Sequence, residues 1–595
     1  MKHTLCGMLA VLLLFLAVLP LAGVTLPQNA MAATTQEAMS RALGVDTPGA
    51  AVVLYENGEH IMTQGYGYAD IGARTLVSSE TAFEIGGLSS LFVALAVRSL
   101  SLSGALDPNV SIAQYLPSEF MEKLSLSYPV TTADLLYCMA GFEGRTFDLR
   151  FAKDTYCFDS LEQALLAEVP KQQAAPGTYY SYSAFGIGVA AYVVECVAGK
   201  SYTAYVRETI LEPLGMFDTH LDPRHDTPAP SVALGHETKG EGKFAVSRAG
   251  GRSYSGIFPA DGALSTAADL SVLLSHLLQT DLLDAATAQS NGVFLVGVGG
   301  GRVSGSVYSL RSQTTSFGVS LCVDVSRGQA ALVMTNAKDS ELLLLPSTLC
   351  GFSAATSAQP SGERSDLSLY EGVYADAAFE RDSLVGRLFI KDYGEQVTLR
   401  EDGLLEFSGM TLREIAPGIF TDAASEESVA VVQFLTSDTG EVLAVLTADG
   451  TTYLPVTFLE RPIPSMLLFL LLLAGAVYAV CGAFFAVTGA LRAHKHGLDD
   501  RPWRYVLPRI FSGLVGALAL AQTWTAITYR NAVIGSFFTA MSVIAILFAI
   551  LATLSYLFAL FASFAERGRA SRVVRSAVVY VLFLILCGYW HIVYV

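Results

Sequence analysis

Phe83-Glu84-Ile85-Gly86-Gly87-Leu88-Ser89-Ser90 runs without a break into the apolar stretch Leu91-Phe92-Val93-Ala94-Leu95-Ala96-Val97, and the reading of this junction decides the fold. A short extended piece, two glycines and a helix-length apolar run together describe a strand-to-helix turn. The first turn of such a helix presents backbone N–H groups that favour negative charge. At this helix start Gly87 has no side chain and Ser90 has no charge.

Working outward, Ala50 to Leu54 reads as a strand, Gly58 as a hairpin turn, and a second strand ends at Gly65-Tyr66-Gly67-Tyr68-Ala69-Asp70. Downstream come Leu106-Asp107-Pro108, Thr131-Thr132-Ala133-Asp134-Leu135-Leu136 and Cys138-Met139-Ala140-Gly141. Pro176-Gly177-Thr178-Tyr179-Tyr180-Ser181-Tyr182-Ser183, Leu211-Glu212-Pro213-Leu214-Gly215-Met216 and Pro259 to Leu270 follow. Two apolar strands, Val319 to Val323 and Ala330 to Met334, lead to Thr335-Asn336 and a last helix from about Ser340 to Cys350. Strands at both ends with helices between predict an α/β (α+β) fold, a mixed sheet covered by helices.

Residues 35–352 resemble the serine hydrolases related to class C β-lactamases and penicillin-binding proteins. In that family the opening stretch reads Phe-x-Ile-Gly-Ser-x-x-Lys, with an acylated Ser and a Lys one helical turn later that helps remove its proton. This chain has Gly87 at the serine position and Ser90 at the lysine position. The family's Tyr-x-Asn motif corresponds to Tyr182-Ser183-Ala184, which keeps the tyrosine and loses the amide that would hold a substrate. Its Lys-Thr-Gly or His-x-Gly motif, counted back from Phe317, falls on Leu310-Arg311-Ser312, and no His or Lys occurs between His276 and Lys338.

The resemblance therefore implies a cleft lined by Gly87, Tyr182, Ala184, Leu310 and Ser312, suited to peptides, peptidoglycan stems or β-lactam-like amides but without its nucleophile. Tyr182 is the one catalytic-motif residue retained, and without a nucleophile it also reads as a packed aromatic. Ser89 and Ser90 are the substitute nucleophiles to weigh against this, yet neither has a Lys three residues on, and each is rotated around the helix from position 87. Thr335-Asn336-Ala337-Lys338 has the right spacing but follows a strand, and His220, His225 and His236 form no recognisable triad. Three readings stand: an inactive family member that binds a cell-wall peptide, an amide ligand or a protein partner; a hydrolase with a relocated nucleophile; and a structural scaffold of a membrane complex.

The 595 residues are too many for one core, and 52% hydrophobic against 15% charged residues point to membrane segments. A net charge of −17 argues against nucleic acid as a partner. Lys2 and His3 before the apolar run Leu9 to Leu21, with Ala30-Met31-Ala32 as a cleavage site, read as a secretory signal over 1–32; an uncleaved anchor is the alternative. Cys138, Cys157, Cys196, Cys322 and Cys350 are odd in number and lack metal-ligand spacing, so no zinc site and no cofactor is expected, and a Cys138–Cys157 bridge is weighed against buried thiols.

The family-like domain is set at 33–352 and a Ser/Ala/Gly/Pro-rich linker at 353–367. A small β domain at 368–462, spacer or binding module, follows from strand-like pieces such as Val385 to Ile390 and Val442 to Leu446. Within 463–595, Met466 to Leu491, Ile510 to Tyr529, Phe537 to Phe561 and Ala577 to Val595 are long enough to cross a bilayer and carry no Asp, Glu, Lys or Arg. That absence argues against an ion or proton path and leaves a four-helix anchor, or a contact surface for another membrane protein. Arginine- and lysine-bearing loops at 492–509 and 565–575 predict a bacterial cytoplasmic-membrane protein with its soluble domains outside.

Overall fold

The computed structural model describes residues 30–590 apart from 143–149, 152–157, 168, 223–230, 241, 247–253, 280–288, 354–355, 358–364, 379–393, 426–428, 497–504, 529–534 and 565–569. The signal-peptide run, Cys157 with its suggested bridge, His225 and the piece Val385 to Ile390 lie outside the described residues.

Helix α1 (Ala30–Ala42) leads into β1 (Gly49–Glu56), β2 (Glu59–Asp70) and the short β3 (Thr75–Leu76). After β4 (Ala82–Glu84) come α2 (Ser90–Leu102), α3 (Ala184–Ala198), β5 (Leu264–Thr266) and α4 (Ala267–Gln279). The chain then returns to the sheet through β6 (Gln289–Asn291), β7 (Phe294–Val296), β8 (Arg302–Ser304), β9 (Val307–Gln313), β10 (Gly318–Asp324) and β11 (Gln329–Thr335), and closes with α5 (Leu345–Cys350).

Nine strands form one sheet in the order β6-β7-β8-β9-β10-β11-β1-β2-β3. The helix-covered α/β arrangement holds, but its pairings are antiparallel rather than mixed. Hairpins join successive strands, and β1 returns beside β11 with Ala50 opposite Thr335. β1 reads as a continuous apolar run because both its faces are covered. Ala51, Val53 and Tyr55 enter the main core with α2 and α3, while Ala50, Val52 and Leu54 enter a second core beneath α1 and α5.

Beyond α5, eight strands between Gly372 and Pro455 close into a barrel. Among the described residues its interior is filled by Tyr370, Tyr374, Phe407, Phe420 and Phe434 with aliphatic side chains, a packed core.

Four apolar helices end the described chain: α6 (Pro462–Lys495), α7 (Leu507–Thr528), α8 (Gly535–Phe564) and α9 (Ala570–Tyr589). They share one core, with Leu472 and Ala476 from α6, Val515 and Ala519 from α7, Ala549 and Ala552 from α8, and Phe583 and Cys587 from α9. Pro464–Lys495 and Met541–Phe561 are long and apolar enough to cross a membrane. The bent pair Ala184–Ala198 and Tyr202–Leu214 also passes by composition, yet it packs into the core of the first domain. Of the four expected spans, then, two meet the criterion outright.

Candidate functional site

β4 pairs with β5, and the chain leaves it through Ile85 into a 3-10 turn, Gly86–Ser89, that feeds α2. Gly86 takes φ +48°, and a Cβ there would meet Ser312 Oγ at 2.9 Å. Glycine is required on both counts. The turn is pinned from the sheet side by Thr314, whose Oγ1 donates to Glu84 Oε2 at 2.7 Å, and by an edge-on contact between Phe83 and Phe317.

Three motif positions read from the sequence converge here. The Gly87 N–H donates to Ser312 Oγ at 2.8 Å, and a Cβ at position 87 would lie 3.0 Å from Ser312 Oγ and 3.4 Å from Tyr182 Oη. Tyr182 is placed by the next residue, because Ser183 caps α3 by accepting from Gly186 N–H at 3.1 Å. Tyr182 Oη also lies 3.4 Å from the Ala260 carbonyl, to which it donates. Ala184 follows in the first turn of α3, half-buried and with no polar side-chain group to offer. Leu310 is not brought to the opening. It lies two residues before Ser312 on the same strand face but is buried in the main core.

Ser89 and Ser90 are committed elsewhere. Ser89 Oγ donates to the Gly86 carbonyl at 2.6 Å and accepts from Ala263 N–H at 3.2 Å, tying the turn to the segment before β5. Ser90 Oγ donates to the Gly87 carbonyl at 2.6 Å and sits 3.0 Å from the Gly299 carbonyl. Both side chains are at most 1% exposed. The other spacing match is separated in space, since Thr335 is buried with its hydroxyl on the Ala337 carbonyl while Lys338 is exposed. Asn336 is structural: its amide donates to the Tyr68 and Leu234 carbonyls and its oxygen accepts from Gly49 N–H. His220 pairs through its backbone with Leu264, and His236 is buried at the end of the sheet.

The sequence reading missed what fills the space beside Ser90. Gly299 (φ +69°) and Gly300 (φ +82°), in the turn between β7 and β8, lie against Ser90 and the Tyr182 ring. A Cβ on Gly299 would collide with Ser90 Oγ, and one on Gly300 would come within 2.8 Å of the Tyr182 ring. Tyr180 Oη donates to the Gly300 carbonyl at 3.1 Å, and Tyr308 Oη to the Val298 carbonyl at 2.8 Å. Burial pushes the Tyr180 phenol well above its ordinary range, so it serves as a donor and not as a base. The signal was present as Gly299-Gly300-Gly301, a run that marks close backbone approach.

The β7–β8 hairpin is held from its other side by the barrel. Val293 N–H donates to Gln433 Oε1 at 2.7 Å, and Tyr179 and Phe294 pack with Ala377, Ala444, Leu446 and Leu454. The Arg302 guanidinium lies over the Tyr180 and Phe294 rings at 5.8 and 5.5 Å, a desolvated cation stacked on aromatic faces.

The chain is similar to known proteins in sequence and in fold. The relative "Protein flp" of Staphylococcus aureus (strain MRSA252) is 24% identical over 194 residues, which cover 32% of this chain and 38% of the relative. "Teichoic acid D-alanine hydrolase" of Staphylococcus aureus is 29% identical over 171 residues, 28% of this chain and 40% of the relative. The matched stretch thus spans well under half of these curated relatives. Among solved structures, "Crystal structure of SurE with D-Leu" superposes with TM-score 0.49 and 18% identity over 72% of this chain and 99% of the other. The Beta-lactamase family model matches residues 32–343, just over half of the chain and the whole of the region that builds the site, so the chain belongs to the Beta-lactamase family.

Proposed function

We propose that this is a membrane-anchored member of the family that binds a ligand at a site no longer able to turn it over. The observation that carries the reading is the Ser312 hydroxyl on the Gly87 N–H. That N–H is the donor an acyl-transfer site would aim at a developing oxyanion. Here it is occupied by the chain's own oxygen, at a position with no nucleophile. The turn at Gly299 fills the neighbouring space where the family's lysine would project. The relocated-nucleophile reading has little support, because Ser89 and Ser90 are buried and bonded to backbone carbonyls.

The four C-terminal helices form the anchor in this proposal. α6, α7, α8 and α9 contact one another in a ring, α9 closing back on α6, so each shorter helix lies beside a long one. With the basic loops on the cytoplasmic side, the family domain and the barrel stand outside a bacterial cytoplasmic membrane. The ligand class follows from family chemistry, a cell-wall peptide or amide, or a protein partner that presents such a group. One relative's name specifies D-alanine on teichoic acid, which makes D-alanyl groups the first ligands to test.

The test uses the full chain in detergent. It is incubated with a fluorescent penicillin and a fluorophosphonate, and its intact mass is then recorded. No covalent adduct is expected. A stable adduct on any serine sinks the proposal. Thermal-shift measurements with D-alanyl peptides and D-alanylated teichoic acid fragments report binding without turnover, as a rise in Tm that scales with ligand concentration.

A further inference from the structure

Cys322 and Cys350 meet on the face of the sheet turned away from the site. Cys322 lies in the middle of β10, opposite Ser309 of β9 and Ala331 of β11. Its side chain enters the second core, among Ala50, Val52, Leu54 and Val333. Cys350 is the last residue of α5, and Gly351 behind it takes the left-handed conformation (φ +64°) that stops the helix there. The stop sets the Cys350 side chain down on the sheet, where its Sγ lies 3.5 Å from the Cys322 carbonyl. Both residues are fully buried in that core, and both are free thiols in the structure. Of the other described cysteines of the domain, Cys138 is a buried and Cys196 a half-buried free thiol.

We propose that Cys322 and Cys350 are joined as a disulfide that staples the last helix of the family domain to its central sheet. The inference rests on the outward orientation proposed above, because an oxidising compartment is where such a bond persists. The donor is the disulfide of an extracytoplasmic thiol–disulfide oxidoreductase. The Cys350 thiolate attacks one donor sulfur and releases the other as a thiol. The Cys322 thiolate then attacks the Cys350 sulfur of the mixed disulfide and releases the second donor thiol. Two protein thiols lose their hydrogens, one donor disulfide gains two, and the electrons balance. The neighbouring Cys350 thiol and burial together hold Cys322 in its protonated form once the domain is closed. The bond therefore forms as α5 docks during folding, and reductants reach it slowly afterwards.

The position gives the staple a purpose. α5 ends the family domain, and the chain beyond Cys350 leads to the barrel and the membrane helices. β10 is paired with β9, the strand that carries Ser312. A bond at this point keeps the end of the domain from peeling off the strands that frame the site.

The test starts from cells making the full chain. They are quenched with N-ethylmaleimide and digested without reduction, and peptides are analysed by mass spectrometry. Shaving intact cells with protease reports in parallel which side the domain is on. The expected result is a peptide pair linked through Cys322 and Cys350, with Cys138 and Cys196 recovered as alkylated thiols. An outward domain with Cys322 and Cys350 both alkylated overturns the inference and leaves the ligand-binding proposal untouched. If the domain faces inward, the orientation fails, and the pair is judged by refolding the purified full chain in a glutathione redox buffer. Linkage there sustains the pair, and its absence overturns it. Reductant should lower the Tm of the wild-type chain by roughly 5–10 °C while leaving Cys350→Ala unmoved. An equal response of both proteins also counts against the bond.

Discussion

Glycines bring backbones together in two parts of this molecule, in opposite surroundings. At the site, Gly299 and Gly300 carry a turn into the space beside Ser90 and Tyr182. In the helical region, Gly513 and Gly516 of α7 let it approach α6, where a Cβ on Gly513 would collide with Ala483 Cβ and one on Gly516 would lie 2.7 Å from the Ala476 carbonyl. In the first case the turn packs against Ser90 and Tyr182, whose hydroxyls are turned onto carbonyls. In the second, small residues let two apolar helices pack closely against each other. Glycine beside the start of α2 therefore marks where a turn seats against the helix, whereas glycine on an apolar helix marks what that helix touches.

The sharpest way to break the comparison is at Gly299. Gly299→Ala must strain a left-handed residue and push Ser90 aside at once, and it should cost about 3 kcal/mol. Denaturant unfolding of the full chain, followed on the family-domain transition, measures this. In a Ser90→Ala background the cost should fall by about 1 kcal/mol, since the colliding oxygen is gone. A cost unchanged by that background would mean that the turn is not seated on Ser90.

Next comes the helical contact. Gly513→Leu should destabilise the α6–α7 pair by about 2 kcal/mol, read as lost resistance to SDS unfolding. Gly482→Leu is the matched control on α6, where a Cβ meets nothing within 4 Å, and it should stay within about 0.5 kcal/mol. Equal effects at the two positions would remove the case for a packed α6–α7 interface.

Position 87 sharpens the site side of the comparison at smaller cost. Gly87→Ala places a Cβ 3.0 Å from Ser312 Oγ and should cost about 1–2 kcal/mol, and Ser312→Gly in the same chain should recover most of it. Gly87→Ser with Ser312→Gly restores a hydroxyl beside Tyr182 and frees the Gly87 N–H. It should still resist fluorophosphonate labelling, because Ser90 supplies no base and Gly299 fills the place of one. Rapid labelling would show that Tyr182 alone suffices to activate a serine here.

The turn at Phe83–Ser90 and the flanking strands were legible from local pattern, whereas the convergence of positions 87, 182 and 312 was implied only by the family resemblance. Counting back from Phe317 put Ser312 in its place, and Thr314 bonding to Glu84 explains why that register is fixed. What Ser312 does there was not legible, since it depends on a bond spanning 225 residues. Gly299-Gly300-Gly301 was visible as a run, but nothing local says which backbone it approaches. In the barrel, Met410–Ala416 and Ile419–Asp422 escaped notice because a register shift between Glu414 and Ala416 breaks the two-residue alternation that announces a strand. Leu310 was assigned to the cleft from its motif position alone, and only the packing shows that its side chain belongs to the core.

The smallest effect separates the site from the scaffold that holds it. His236 lies where β2 and β11 end, with its backbone N–H on the Asn336 carbonyl and both ring nitrogens buried without a hydrogen-bond partner among the described residues. Burial lowers its pKa below the ordinary 6.5, against the opposing pull of the nearby Leu234 backbone and of Asp70. A histidine whose folded pKa is depressed takes up its proton more readily when unfolded. Its contribution is therefore complete above about pH 6.5 and is lost as the pH falls below that value, at no more than about 1.4 kcal/mol per pH unit. His276, lowered by burial on α4, adds to the slope in the same direction. His236→Gln should flatten the Tm profile between about pH 6.5 and 5 in part, and the double variant with His276→Gln further. Because neither histidine touches Gly87, Tyr182 or Ser312, ligand-induced shifts in Tm should keep their size at pH 7.5 in both variants. A changed ligand response would tie the end of the sheet to the site, and the division between site and supporting scaffold would have to be redrawn.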